Sequence, residues 1–129
     1  MSDYPENLKY TPEHEWVRSG NESIVRVGIT EYAAEQLGDI VFASLPTVGE
    51  TFSAGDACGE LESTKSVSDI FAPVAGTISA VNTTLDGNPE TVNADPYGEG
   101  WLVRIRLSDP SEVDSLLEPD AYKQHLAEQ

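Results

Sequence analysis

The chain has 129 residues, 39% of them hydrophobic, enough for one domain with a buried core. Seven basic residues against 23 acidic ones give a formal net charge of −16, which argues against nucleic acid and anionic membranes as partners and suits basic patches on other proteins. The single cysteine, Cys58, excludes an intramolecular disulfide, and no apolar run reaches the length of a membrane span.

The opening residues, Met1-Ser2-Asp3-Tyr4-Pro5-Glu6, have neither a signal-peptide core nor an arginine-rich transit pattern, so a cytoplasmic location is expected. Residues 1–12 are polar, with Pro5 and Pro12, and read as a lead-in arm. Glu15 to Arg18 is a short strand, Ser19-Gly20-Asn21-Glu22 a turn, and Ile24 to Ile29 a half-buried strand with Val25, Val27 and Ile29 inward and Arg26 outward. Thr30 offers an N-cap for a short helix over Glu31 to Leu37, stopped by Gly38. Ile40 to Leu45 reads as a buried strand, Thr51 to Ser53 as a further extended piece, and Asp56–Ser63 with Val67–Phe71 as the arms of a hairpin. Thr77 to Val81 is another strand, residues 82–100 read as loop, and Trp101 to Leu107 alternates with Arg104 and Arg106 on one side. A capping box, Asp109-Pro110 with Glu112, starts a helix striped by Val113, Leu116 and Leu117; a second begins near Pro119 with Tyr122 and Leu126 inward. Many short strands and few helices argue for a β-sandwich or small barrel.

Catalytic constellations are missing. His14, His125 and Cys58 lack metal-ligand spacing, no serine sits in a G-x-S-x-G elbow, and Gly98-Glu99-Gly100 lacks the third glycine of a phosphate loop. His125 reads as a surface residue and Cys58 as a small core residue. The chain is therefore expected not to be an enzyme, and to hold no metal.

Lys65 is one of only three lysines, with Lys9 and Lys123. It lies in Gly59-Glu60-Leu61-Glu62-Ser63-Thr64-Lys65-Ser66-Val67-Ser68-Asp69, at the tip of the hairpin. A lysine displayed on a turn between strands accepts an acyl group without disturbing a core.

Six blocks carry a resemblance that runs from about Tyr10 to Leu126: Tyr10-Thr11-Pro12-Glu13-His14-Glu15-Trp16-Val17; Val27-Gly28-Ile29-Thr30-Glu31-Tyr32-Ala33; Leu37-Gly38-Asp39-Ile40-Val41-Phe42; Leu45-Pro46 with Val48-Gly49; Glu62-Ser63-Thr64-Lys65-Ser66; and Asn93-Ala94-Asp95-Pro96-Tyr97-Gly98-Glu99-Gly100-Trp101-Leu102. In that order they resemble the H proteins of the glycine cleavage system, which are lipoyl carriers. Thr64 and Ser66 depart from the valine and alanine common beside the family's lysine, and both suit a turn.

The resemblance implies a mainly β barrel-sandwich hybrid of the lipoyl/biotinyl type, with short flanking helices including a C-terminal helical segment. One lipoyl-carrier domain over 1–129 is expected: an N-terminal arm over 1–9, a β core over 10–108 and C-terminal helices over 109–129. It implies lipoate joined to Lys65 as N6-lipoyllysine. A pyridoxal-phosphate glycine decarboxylase loads an aminomethyl group, a tetrahydrofolate-dependent aminomethyltransferase unloads it, and dihydrolipoamide dehydrogenase reoxidises the dithiol; lipoate-attaching enzymes are further partners, and a monomer is expected. By the resemblance, Glu15 and Asp69 are the carboxylates expected to face the loaded, cationic end of the arm, while Trp16 and Trp101 belong to the core. Met does not flank Lys65, which disfavours a biotinyl carrier, and the opening motif and C-terminal helices disfavour a 2-oxoacid dehydrogenase lipoyl domain. A relay of lipoate to other enzymes and an unmodified acidic interaction module remain as alternatives.

Overall fold

The computed structural model describes residues 7–20 and 23–127. Among the described residues nine strands form two antiparallel sheets. In chain order the strands are β1 (Lys9–Tyr10), β2 (Glu15–Ser19), β3 (Ile24–Ile29), β4 (Ile40–Ser44), β5 (Thr51–Phe52), β6 (Ala57–Ser63), β7 (Val67–Phe71), β8 (Gly76–Val81) and β9 (Val103–Leu107). The helices are α1 (Glu31–Leu37), α2 (Thr84–Gly87), α3 (Thr91–Ala94) and α4 (Pro119–Ala127), with a 3-10 segment over Pro110–Ser115. The larger sheet runs β1-β2-β3-β9-β8-β5 and the smaller β4-β6-β7. This is the mainly β barrel-sandwich architecture with flanking and C-terminal helices that the resemblance implies.

The alternating residues of β3 and β9 do what their pattern requires. Val25, Val27, Val103 and Ile105 are buried and meet Ile40, Leu61, Ile70 and Ile78 from other strands, closing a continuous apolar core. A second cluster joins Leu8, Tyr10, Trp16 and Tyr122. Tyr10 and Tyr122 stack with ring centroids 4.9 Å apart, and Tyr10 exchanges backbone hydrogen bonds of 2.8 Å with Leu117. These contacts hold α4 against the first strand. Gly28 lies under the Trp16 ring: a Cβ there would stand 2.5 Å from Trp16 Cζ2, so the close approach of the indole demands glycine.

Several expectations need correction. The lead-in arm is structural from Leu8 onward, because Leu8 and Tyr10 are core residues and Lys9–Tyr10 pairs with β2; residues 1–6 lie outside the described ones. β4 is not buried throughout. A register shift between Ile40 and Phe42 turns two consecutive apolar side chains outward, leaving Val41 47% and Phe42 56% exposed. Residues 82–100 are not all loop, since they contain α2 and α3. The last strand begins at Val103, two residues later than its alternation suggests, and Trp101 is half-buried outside it. Asp109 caps through Ser111 as expected, but Glu112 does not close a capping box; its carboxylate accepts from the Ala75 N–H at 2.9 Å.

Candidate functional site

Lys65 stands exposed in the tight turn between β6 and β7. Ser63 holds that turn closed. Its hydroxyl oxygen accepts from the N–H groups of Lys65 and Ser66, both at 3.1 Å, and donates to the Ser66 carbonyl at 3.2 Å, while Ser63 N donates to the same carbonyl at 2.8 Å. Thr64 N donates to the Asp39 carbonyl at 3.1 Å and ties the tip to the end of α1. Four hydrogen bonds around one serine fix the backbone and leave the lysine side chain outside. The sequence reading missed Ser63; its signal is a serine facing another serine three residues on in a hairpin turn.

The lysine stem lies against the C-terminus of α1. Gly38 there has φ 82°, and a Cβ on it would come within 3.2 Å of Lys65 Cε. The positive φ favours glycine there, and a side chain would also push the flexible lysine stem aside. Asn93 clamps the same helix end: its amide donates to the Gly38 carbonyl at 2.8 Å and its oxygen accepts from Ile40 N at 2.8 Å.

Beside α1 opens a cleft of about 260 Å³. Tyr32, Ala33, Gln36 and Leu37 of α1 form one wall, Leu61, Ser68, Asp69 and Ile70 of the hairpin another, and Glu13, His14 and Glu15 close one end. The lysine stem thus meets Gly38 at the end of the helix whose Tyr32, Ala33, Gln36 and Leu37 wall the cleft.

Glu15 is not a surface acid. It is 2% exposed, and its carboxylate accepts from Phe71 N at 2.8 Å and from the Thr11 hydroxyl at 3.4 Å. Burial pushes its pKa from 4.5 up to about 8, the Phe71 and Thr11 hydrogen bonds oppose the rise, and the charge of Glu13 adds to it. The turn before it aims it inward. His14 takes a left-handed φ of 71°, an unusual conformation for a non-glycine residue. His14 N donates to the Thr11 carbonyl at 3.0 Å, and Thr30 N donates to the His14 carbonyl at 3.0 Å. The His14 ring meets the Tyr122 hydroxyl at 2.8 Å, and that hydroxyl also meets Thr30 Oγ1 at 2.9 Å. Thr30 caps α1 as expected, accepting from Ala33 N at 3.3 Å. One network therefore joins α4, the His14 turn and α1 around the cleft. Burial, and then the charge of His125, lower the His14 pKa; Glu13 opposes them.

Asp69 lines the cleft from β7 but is solvent-exposed, opposite Glu60 on β6. Glu15 and Asp69, far apart in sequence, thus face one space. Trp16 is fully buried and donates from Nε1 to the Pro96 carbonyl at 2.9 Å, as a core residue should. Trp101 is a partial exception, half-buried beneath two arginines. His125 is half-buried rather than a surface residue, its ring centroid 6.1 Å from that of His14. Cys58 is buried, and desolvation raises its thiol pKa to about 12, which makes it inert at neutral pH. Among the described residues no cluster of His, Cys, Asp and Glu is placed to hold a metal, and no helix is long and apolar enough to cross a membrane.

The family described as Glycine cleavage H-protein matches residues 8–129. The chain belongs to the glycine cleavage H-protein family. It is 54% identical over 132 residues to the glycine cleavage system H protein of Mycobacterium avium (strain 104), covering 99% of this chain and 100% of that one. It is 52% identical over 134 residues to the protein of that name from Mycobacterium tuberculosis (strain ATCC 25177 / H37Ra), with the same coverage. The crystal structure of a glycine cleavage system H protein from Mycobacterium marinum superposes with a TM-score of 0.88 at 46% identity, covering 96% of this chain and 99% of that one. The family is the lipoyl carrier of the glycine cleavage system, so the chain is a carrier protein that works with the other components of that system. An exposed lysine on a rigid turn, beside a cleft with an apolar wall and a buried carboxyl at its end, fits a lipoyl arm.

Proposed function

We propose that this protein shuttles the aminomethyl group of glycine on a lipoyl arm attached to Lys65, from the pyridoxal-phosphate glycine decarboxylase to the tetrahydrofolate-dependent aminomethyltransferase, with dihydrolipoamide dehydrogenase completing the cycle. The observation that carries the reading is the displayed Lys65 on its Ser63-pinned turn, against the helix that walls the cleft. Bound there, lipoate would supply a disulfide that is reduced as one sulfur takes the one-carbon unit and is left as a dithiol once that unit is released. The protein's own residues do the rest.

Ser63 presents the lysine in one orientation to the enzymes that attach and use the arm. Leu37, Leu61 and Ile70 offer the cleft an apolar lining that excludes water from a labile cargo. Glu15 and Asp69 face the cationic amine of that cargo. Glu15, with its pKa near 8, enters this role as a protonated carboxyl at neutral pH. An ammonium arriving beside it draws its pKa down and sends the proton to solvent, so the pair forms a charge-assisted hydrogen bond only when cargo is present. Catalytic residues are not needed on this chain, since the partners perform the bond chemistry.

The same reading takes the chain over 1–129 as a single lipoyl-carrier domain, monomeric and cytoplasmic, with residues 10–108 as its β core. Intact mass and peptide mapping of native protein test it. A lipoyl mass on the Lys65 peptide is expected, with none on Lys9 or Lys123. Lys65→Arg should fold as the wild type does and carry no lipoyl group, because an exposed turn substitution is nearly neutral for stability. A lipoyl mass persisting in that variant refutes the assignment.

A further inference from the structure

The chain contains four arginines, and all four line one depression on the outer face of the larger sheet. Arg18 stands directly opposite Arg26, and Arg26 directly opposite Arg104, so three guanidinium-bearing residues form an unbroken row across β2, β3 and β9. Arg106 follows on the same side of β9. Like charges placed opposite one another across strands destabilise a sheet. A protein with 23 acidic residues has ample means to interleave them, yet among the described residues the only ion pair is Lys9 with Glu118, elsewhere in the fold.

The row is supported from beneath, and among the described residues no carboxylate is paired with it. The Arg26 and Arg104 guanidiniums lie 5.2 and 5.0 Å from the Trp101 ring centroid, and that of Arg18 lies 5.5 Å from Trp16. Aromatic faces hold the cations in place without neutralising them. Arg18 donates to the Tyr97 carbonyl at 3.1 Å, while its Nε is buried with no hydrogen-bond partner. Burial and the neighbouring charges of Arg104 and Arg18 press the Arg26 pKa downward, opposed by Glu99. The floor beside the row is cut away by small residues, Gly20, Ser79 and Ala80, leaving a depression of about 630 Å³.

We propose that this arginine face binds a phosphate-bearing small molecule with at least two negative charges. Guanidinium forks match phosphate oxygens in pairs. Adjacent strands set the backbones of Arg26 and Arg104 about 4.8 Å apart, which lets neighbouring phosphates be gripped from both strands at once. The net charge of −16 does not forbid this, since charges beyond roughly 8 Å are largely screened at physiological ionic strength. An acidic protein surface is the weaker occupant. Docking between proteins centres on apolar anchors, and the exposed large apolar residues Val41, Phe42, Val48 and Val67 do not line this depression. The site is separate from Lys65 and its cleft, and it stands or falls independently of the carrier role.

The test titrates full-length protein with inorganic pyrophosphate at constant ionic strength, balanced with sodium chloride. Melting temperature and Trp101 fluorescence are read, with Arg104→Gln, Arg106→Gln and Lys65→Arg in parallel. A saturable rise in melting temperature is expected for wild type and Lys65→Arg. Each arginine variant should bind about tenfold more weakly or worse. Arg106, exposed and outside the Trp101 stack, keeps the test sound if Arg104→Gln fails to fold. A response no larger than that to chloride, or one equal in wild type and the arginine variants, overturns the proposal. Tighter binding of hexaglutamate than of pyrophosphate through the same arginines also overturns it, and assigns the face to an acidic protein segment.

Discussion

Replacing Glu15 by glutamine separates the charge of this residue from its shape. Glutamine keeps an acceptor for the Phe71 N–H and a polar group beside Thr11, so packing and hydrogen bonds are nearly preserved. What changes is titration. The carboxyl has a pKa of about 8 in the folded protein against an ordinary 4.5, so between those values the folded state holds a proton that the unfolded state has released. Stability therefore falls as pH rises through this window: the effect is absent below pH 4.5 and complete above about 8. The size of the shift sets an upper bound of about 5 kcal/mol for the total, a large share of the roughly 5–15 kcal/mol that stabilises a typical domain. Urea unfolding, followed by tryptophan fluorescence at pH 5, 7 and 9, measures it in a Lys65→Arg background where no arm complicates the cleft. The wild-type and Glu15→Gln proteins should be nearly equal at pH 5, and the variant should be more stable by several kcal/mol at pH 9. Other titrating groups cancel in the difference. A difference that does not change with pH would mean that Glu15 ionises as an ordinary hydrated carboxyl, and the account of its buried role would fail.

Glu15→Ala should leave lipoylation intact, because the attaching enzyme meets the Lys65 turn, yet speed formaldehyde release from purified loaded protein; equal release rates would remove Glu15 from the cleft's function. Ser63→Ala deletes the acceptor shared by Lys65 N and Ser66 N. It should cost about 1–2 kcal/mol and slow lipoyl attachment in a timed mass-spectrometric assay with the fold retained, and an unchanged rate would show that the turn does not need its serine. Binding to the glycine decarboxylase should weaken as salt rises, given the net charge of −16; calorimetric affinities that are flat with ionic strength would contradict an electrostatic docking surface.

Much of the molecule follows from local pattern. Ile24–Ile29 appears with the bounds its alternation marks, because period-two burial is written directly in Val25, Val27 and Ile29. α1 runs from Glu31 to Leu37 between the Thr30 cap and the Gly38 stop for the same reason: caps and breakers act within a few residues of themselves. The Lys65 turn was equally legible, since it needs only two flanking strands and small polar residues between them.

Tertiary structure decided the rest. The outward turn of Val41 and Phe42 depends on a bulge that exists only in the pairing of β4 with β6. Glu112 satisfies Ala75 instead of its own helix start because β8 begins beside it in space. Glu15 carries no sequence mark of burial; its environment comes from Phe71, 56 positions away, and from the strained His14 turn held by Tyr122. The arginine row is the clearest case. Arg18, Arg26, Arg104 and Arg106 look like ordinary outward residues of three strands, and only the register of β2, β3 and β9 sets three of them face to face. Periodicity determines which side of a strand a residue takes, but the partner opposite it is chosen by long-range packing, where the charges of this protein acquire their meaning.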